Sequence, residues 1–359
     1  MDVTITNLWL SYGEAPAVKN LSLTIADGTS TVLLGHSGCG KTSTMMCIAG
    51  LEEPSGGSIA IGGRVVFDHA GGRSVPPHRR NVGMVFQSYA IWPHRTVMEN
   101  VTFPLRMKKV GRADAERKAQ EVLELVGLAG YARRGASLLS GGQMQRVALA
   151  RSLAMEPSVL LLDEPLSNLD ARLRDDLRVE LRRIQQTLGL TCLYVTHDQQ
   201  EALALADRIA IMEDGAITQI GTPQEIYSRP ATASVARFLG ITNVFAVAED
   251  ATAPTLRLDG HDVRMTTSAA SVDPGQPLSV GVRPEDVVLT TSARGAVNEW
   301  PGTVEVTVFQ GASVRYSVKL DAGPRLDVVS GAQHAPGVKP QDRVWARVAV
   351  DDVKVLPAA

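Results

Sequence analysis

The sequence predicts a chain in two parts: an α/β domain over residues 1 to about 235, then an all-β domain over 241–359. Three observations carry this reading. In the first part, short apolar runs alternate with longer amphipathic stretches, the pattern of a parallel sheet with crossover helices. Between one such run and the stretch after it lies a glycine-rich loop. In the second part, apolar and polar residues alternate with period two, broken by Gly, Pro and Asp clusters. A chain of 359 residues has room for two domains, each of about 100–200 residues. Its 44% hydrophobic and 21% charged residues exclude a disordered or collagen-like chain.

In chain order, strands are expected at Val3–Trp9, Leu21–Ile25 and Ser30–Leu34, the last of them buried. A helix is expected from about Lys41. Amphipathic helices are expected at Arg112–Val126 and Ala171–Leu188, and buried parallel strands at Val159–Leu162 and Thr191–Val195. In the second part Val304, Val306 and Val308 alternate with Glu305 and Thr307. Val314, Tyr316, Val318 and Leu320 do the same, as do Val344, Ala346 and Val348. Short antiparallel strands in a sandwich or small barrel fit this texture. The join is expected near Phe238–Asn243. No internal repeat and no low-complexity segment is visible.

Composition also excludes function classes. A net charge of −2, from 36 basic against 38 acidic residues, argues against nonspecific nucleic-acid binding. No apolar run approaches the ~18–20 residues needed to cross a bilayer. Met1-Asp2-Val3-Thr4 has neither a basic nor an apolar leader region, so a cytosolic protein is expected. Cys39, Cys47 and Cys192 are too few for a disulfide framework and lack zinc-ligand spacing. They are expected to be reduced and structural.

Gly35-His36-Ser37-Gly38-Cys39-Gly40-Lys41-Thr42 satisfies G-x-x-x-x-G-K-[ST], with a strand before it and a helix after it. Glycines let backbone N–H groups turn inward around phosphate oxygens, and the helix N-terminus adds partial positive charge. Lys41 can neutralise β- and γ-phosphates, and the Thr42 hydroxyl can ligate Mg²⁺. Val159-Leu160-Leu161-Leu162-Asp163-Glu164-Pro165 sets two carboxylates at the end of an apolar strand. Asp163 is placed to hold Mg²⁺, and Glu164 to polarise a water as general base.

Between them lies Leu139-Ser140-Gly141-Gly142-Gln143, followed by Met144-Gln145-Arg146-Val147-Ala148-Leu149-Ala150-Arg151. With this segment the sequence resembles the ATP-binding subunits of ABC transporters, whose motifs occur in order over residues 1 to about 235. Gln87 in Val85-Phe86-Gln87-Ser88 matches the Q-loop, Ser167-Asn168-Leu169-Asp170 the D-loop, and His197 in Val195-Thr196-His197-Asp198 the switch histidine. Tyr12 matches the aromatic residue that stacks on adenine. His36 stands where many members have Pro, and Met144 where a polar residue is common.

The resemblance implies a P-loop cassette with a RecA-like core and a helical subdomain, followed by an OB-like accessory domain. It implies ATP and Mg²⁺, with Glu164, His197 and Gln87 catalytic and Thr42, Gln87 and Asp163 at the metal. It places Tyr12, the loop Gly35–Thr42 with Ser43, the signature Ser140–Gln143 and Asp170 around nucleotide. It further implies a head-to-tail homodimer, in which each Ser140 closes over the γ-phosphate held by the partner's Lys41.

Gly281-Val282-Arg283-Pro284-Glu285-Asp286 resembles the start of the accessory domain of importer ATPases, and Tyr89-Ala90-Ile91-Trp92-Pro93-His94 looks closest to the iron and polyamine branch. The expected partners are inner-membrane permease subunits and, indirectly, a solute-binding protein, with no nucleic acid. The expected location is the cytoplasmic face of the membrane. The aromatics of Tyr89–Trp92 have two readings, a groove for a permease helix or simple packing within the cassette. The runner-up function is an ATPase whose accessory domain mainly senses an effector. DNA-repair relatives are disfavoured because no sustained heptads separate Lys41 from Ser140, and translation-associated relatives because only one cassette is present.

Overall fold

The apolar run Ser30–Leu34 is a strand buried at every position. It lies inside a six-stranded sheet in the computed structural model, which describes residues 1–248, 254–268 and 277–358. The order across that sheet is Ala216–Gly221, Arg208–Glu213, Ser30–Leu34, Thr191–Thr196, Val159–Asp163 and Val82–Val85. All neighbours are parallel except the first pair. Register then positions the chemistry. Leu34 lies opposite Thr196, Asp163 opposite Val195, and Val85 opposite Leu162. The loops that leave Leu34, Val85, Asp163 and Thr196 therefore emerge side by side at the C-terminal edge, where parallel sheets bind ligands.

The helix Lys41–Ala49 is sandwiched by a second sheet. That sheet is antiparallel, in the order Ala15–Ile25, Val3–Tyr12, Gly56–Ile61, Arg64–Asp68, Arg73–Ser74. Met45, Cys47 and Ile48 share one core with Ile5, Leu23 and Ile59 on one side and Leu33, Leu161 and Val195 on the other. Three further helices, Val97–Met107, Arg112–Leu125 and Gly141–Leu153, pack on one another as a helical subdomain. The first begins with a Thr96–Glu99 capping box. No helix among the described residues is long and apolar enough to cross a membrane.

Packing divides the chain into Met1–Ile226 and Tyr227–Ala359. The texture change near Ile241 lies after that division, because the Thr232-capped helix Ala233–Phe238 buries Ala233 and Ala236 against Ile241 and Leu356. The second unit is otherwise β. Its main antiparallel sheet runs Val287–Thr290, Arg343–Val348, Glu299–Phe309, Ser313–Leu320, Arg325–Gly331. Asn243–Ala246, Leu278–Val282 and Lys354–Pro357 form another sheet, and Tyr316, Val304, Val344 and Val280 meet in the shared core. A register shift after Val304 interrupts the period-two pattern there. Val304 is buried, while Val306 and Val308 lie near half exposure.

Candidate functional site

The phosphate loop turns between its strand and helix as the motif requires. Gly40 sits at φ +98°, and a Cβ there would meet the Ala17 carbonyl at 2.3 Å. Only glycine fits that position. The Lys41 ammonium is buried within the loop and donates to the carbonyls of Gly35 (2.9 Å) and His36 (2.8 Å). It also lies 3.6 Å from the Cys39 thiol. Ser37 and Gly38 are exposed at the tip of the loop. All three cysteines are free and buried, as expected. Burial pushes the Cys47 and Cys192 thiols up to about 12, so both remain neutral.

The acidic strand end meets this loop directly. The Thr42 hydroxyl donates to Asp163 Oδ1 at 2.9 Å. Burial raises the Asp163 carboxyl above its ordinary range, and the Thr42 hydrogen bond partly opposes that. No group of three or more His, Cys, Asp or Glu side chains forms a metal cluster among the described residues. The donor set is instead a hydroxyl and one carboxylate beside a phosphate cradle. Those are hard oxygen ligands that fit Mg²⁺, which takes one or two protein ligands and completes its shell from water and substrate phosphate.

Glu164 follows with φ +41°, in the left-handed region. The turn is fixed on both sides. Glu164 N–H donates to the Val195 carbonyl at 2.9 Å, and the Ser167 hydroxyl donates to the Glu164 carbonyl at 2.9 Å. This swings the carboxylate out over the sheet edge. There its two oxygens have different partners. The Gln87 amide donates to Oε2 at 3.3 Å, and His197 Nδ1 lies 3.0 Å from Oε1. Asn168 of the D-loop in turn donates to the Gln87 carbonyl at 2.9 Å. The fold thus gathers Lys41, Thr42, Gln87, Asp163, Glu164 and His197, which are scattered over more than 150 positions of sequence. A carboxylate oriented through both oxygens can accept a proton from a water held at the phosphate cradle.

Ser140 caps the helix Gly141–Leu153. Its hydroxyl accepts from Gln143 N–H at 3.4 Å, and Gln143 Oε1 accepts from Ser140 N–H at 3.0 Å. Gly142 faces Leu173, whose Cδ2 would lie 2.7 Å from a Cβ there. A larger residue at that place would push the Leu173 side chain aside where the signature helix approaches Ala171–Leu188. Asp170 caps the latter helix, accepting from Leu173 N–H at 3.0 Å. Tyr12 ends the strand Val3–Tyr12, half exposed, with its hydroxyl 3.4 Å from that of Ser43. Tyr89 is buried, whereas Trp92 is half-buried. Trp92 lines an open groove of about 290 Å³ with Phe86, Phe103 and Met155.

One supporting network is absent from the sequence reading. Asp198, next to His197, caps the helix Gln199–Leu205 and pairs with Arg174 (3.4 Å) and Arg178 (3.2 Å). Arg174 also donates to the carbonyl of Leu169 in the D-loop at 3.1 Å. Beneath it the buried Glu201 accepts from the hydroxyls of Thr196 (2.7 Å) and Tyr194 (3.2 Å). Burial raises its carboxyl above the usual range. Asp198-x-x-Glu201 has the spacing of a capping pair, the one signal that could have pointed here. The arginine partners, twenty or more residues upstream, leave no local trace.

Comparison with known proteins follows the same division. A family profile described as ABC transporter matches residues 18–167, and a TOBE domain profile matches residues 280–356. The chain is 45% identical over 349 residues to an Fe(3+) ions import ATP-binding protein of Rhizobium meliloti (strain 1021), covering 95% of this chain and 94% of that protein. It is 44% identical over 345 residues to a spermidine/putrescine import ATP-binding protein of Acidothermus cellulolyticus, covering 93% and 87%. Among solved structures it is similar to cbiO1 from Clostridium perfringens, part of the ABC transporter complex cbiONQ. That match has a TM-score of 0.58 and 27% identity, and covers 63% of this chain and 90% of that one.

Proposed function

The chain belongs to the ATP-binding proteins of ABC importers, and on that premise we propose how its residues hydrolyse ATP and which solute that hydrolysis drives inward. The observation that carries the mechanism is the row of strand ends holding Thr42 against Asp163 and Glu164 between Gln87 and His197. Lys41 and the loop N–H groups bind the phosphates, and Tyr12 offers an exposed ring to the base. Thr42, Asp163 and Gln87 hold Mg²⁺, which when bound neutralises charge on the β- and γ-phosphates. Glu164 accepts the proton of the attacking water. Gln87 and His197 fix both carboxylate oxygens, so the base is oriented before substrate arrives.

Ser140, Gly141, Gly142 and Gln143 act on the nucleotide of a second copy. Closure of two chains around two ATP molecules drives separate permease subunits at the cytoplasmic face of the inner membrane, and hydrolysis resets them. The Trp92 groove receives a permease segment. A solute-binding protein delivers the solute outside.

Ferric iron is the proposed solute, supported by the 45% identical iron-import relative that spans 95% of this chain. Cells lacking the chain are expected to lose uptake of radiolabelled ferric iron and to keep uptake of spermidine. Loss of spermidine uptake alone would move the assignment to polyamines. Loss of neither would remove both solutes and leave import of a different one.

A further inference from the structure

The segment that carries Gln87 continues into two consecutive non-glycine residues with left-handed backbone, Tyr89 at φ 61° and Ala90 at φ 48°. Left-handed residues without glycine are costly, and two in succession persist only when their surroundings hold them. One side chain does so here. The Arg151 guanidinium donates to the Tyr89 carbonyl at 2.9 Å and to the Ala90 carbonyl at 2.6 Å. Its central carbon, Cζ, lies 5.1 Å from the centre of the Trp92 ring. Next to it, the Ser152 hydroxyl donates to the carbonyl of Met84 at 2.7 Å. The last turn of the helix that starts at the signature is therefore stitched to the chain on both sides of Gln87. Tyr89 itself is buried with its hydroxyl unpartnered, so its own side chain supplies no competing anchor through that group.

We infer that Arg151 is a positioning residue for hydrolysis: by clamping the Tyr89 and Ala90 carbonyls it sets the left-handed turn that aims the Gln87 amide at Glu164. This rests on the reading of Gln87 as part of the site. The fork of a guanidinium is what the geometry needs, since two carbonyls from adjacent residues are bound at once; an ammonium at that place can satisfy one of them well. Burial lowers the Arg151 pKa from its ordinary value, but a guanidinium remains charged in proteins, so both hydrogen bonds are charge-assisted.

The test measures kcat and KM for ATP hydrolysis by the full chain, with the melting temperature of each variant as a control for folding. Arg151→Lys is expected to lower kcat by about 10-fold to 10²-fold, the scale of a roughly 1 Å misplacement of a catalytic group, with KM changed less than about 2-fold. Ala90→Gly in the Arg151→Lys background is expected to recover part of that loss, because glycine adopts the left-handed turn unaided. Ala90→Val, at an exposed position that tolerates a side chain, is expected to lower kcat in the same way, because a β-branched residue resists that turn. In a Gln87→Ala background, Arg151→Lys is expected to cost less than about 2-fold more, since coupled residues are non-additive.

An unchanged kcat in both Arg151→Lys and Ala90→Val, while Gln87→Ala is impaired, would overturn the clamp and leave the site reading intact. Full multiplication of the Gln87 and Arg151 losses would overturn it too, as the mark of a merely structural role. A normal kcat in Gln87→Ala would overturn the site reading and the clamp with it.

Discussion

Glu164→Gln is expected to lower ATP turnover by about 10²–10⁴-fold, the range for loss of a general base, while ATP affinity is retained. The substitution keeps shape and removes charge. The strained backbone at Glu164 is fixed by Val195 and Ser167 through main-chain groups, so the side chain stays over the sheet edge. Gln87 and His197 keep a hydrogen-bond partner there, but that partner can no longer take a proton. Binding is assigned, in the proposed mechanism, to the phosphate loop, which the substitution does not touch. With hydrolysis blocked and binding intact, the ATP-bound pair of chains is expected to accumulate and to elute earlier on size exclusion. Near-normal phosphate release by this variant would remove Glu164 from the mechanism.

Lys41→Met is expected to weaken ATP binding by about 10–10⁴-fold, from the loss of one or two charge-assisted contacts of about 1.5–3 kcal/mol each. Methionine preserves the buried stem, which alanine would not. The Gly35 and His36 carbonyls lose their present donor, so some stability is lost as well. The rest of the core around Met45, Cys47 and Ile48 is untouched. Calorimetry separates the two effects: the melting temperature reports the carbonyls, and titration with ATP reports the phosphates. Unchanged ATP affinity would contradict the phosphate-loop reading.

Much of this site was legible because its parts are local. The loop Gly35–Thr42 and the Asp163–Glu164 pair each announce themselves within a few residues, at strand ends that short apolar runs foretell, whereas His197, also at a strand end, is marked only by the family resemblance. What the sequence does not carry is pairing between distant segments. The antiparallel strands Gly56–Ile61 and Arg64–Asp68 were not anticipated. Their amphipathic pattern is short, and their place is set by Val3–Tyr12, far upstream. The clamp of Arg151 on Tyr89 and Ala90 joins positions about sixty apart. The interruption after Val304 likewise depends on the neighbouring strand Ser313–Leu320 rather than on its own alternation.

We propose that this chain's ATP site is completed by the signature of a second copy. Mixing two inactive variants, Ser140→Arg and Lys41→Ala, tests it most directly. On that proposal, Ser140→Arg sets bulk and charge where the other chain's γ-phosphate would dock, while ATP binding to its own loop is expected to survive. Lys41→Ala disables its own loop and keeps an intact signature. In a mixed pair, one site carries both lesions and the other carries neither. Under single-turnover conditions, with heterodimers verified by crosslinking, the mixture is expected to hydrolyse ATP when neither variant alone does. A mixture as inactive as its components, with heterodimers present, would contradict the shared site.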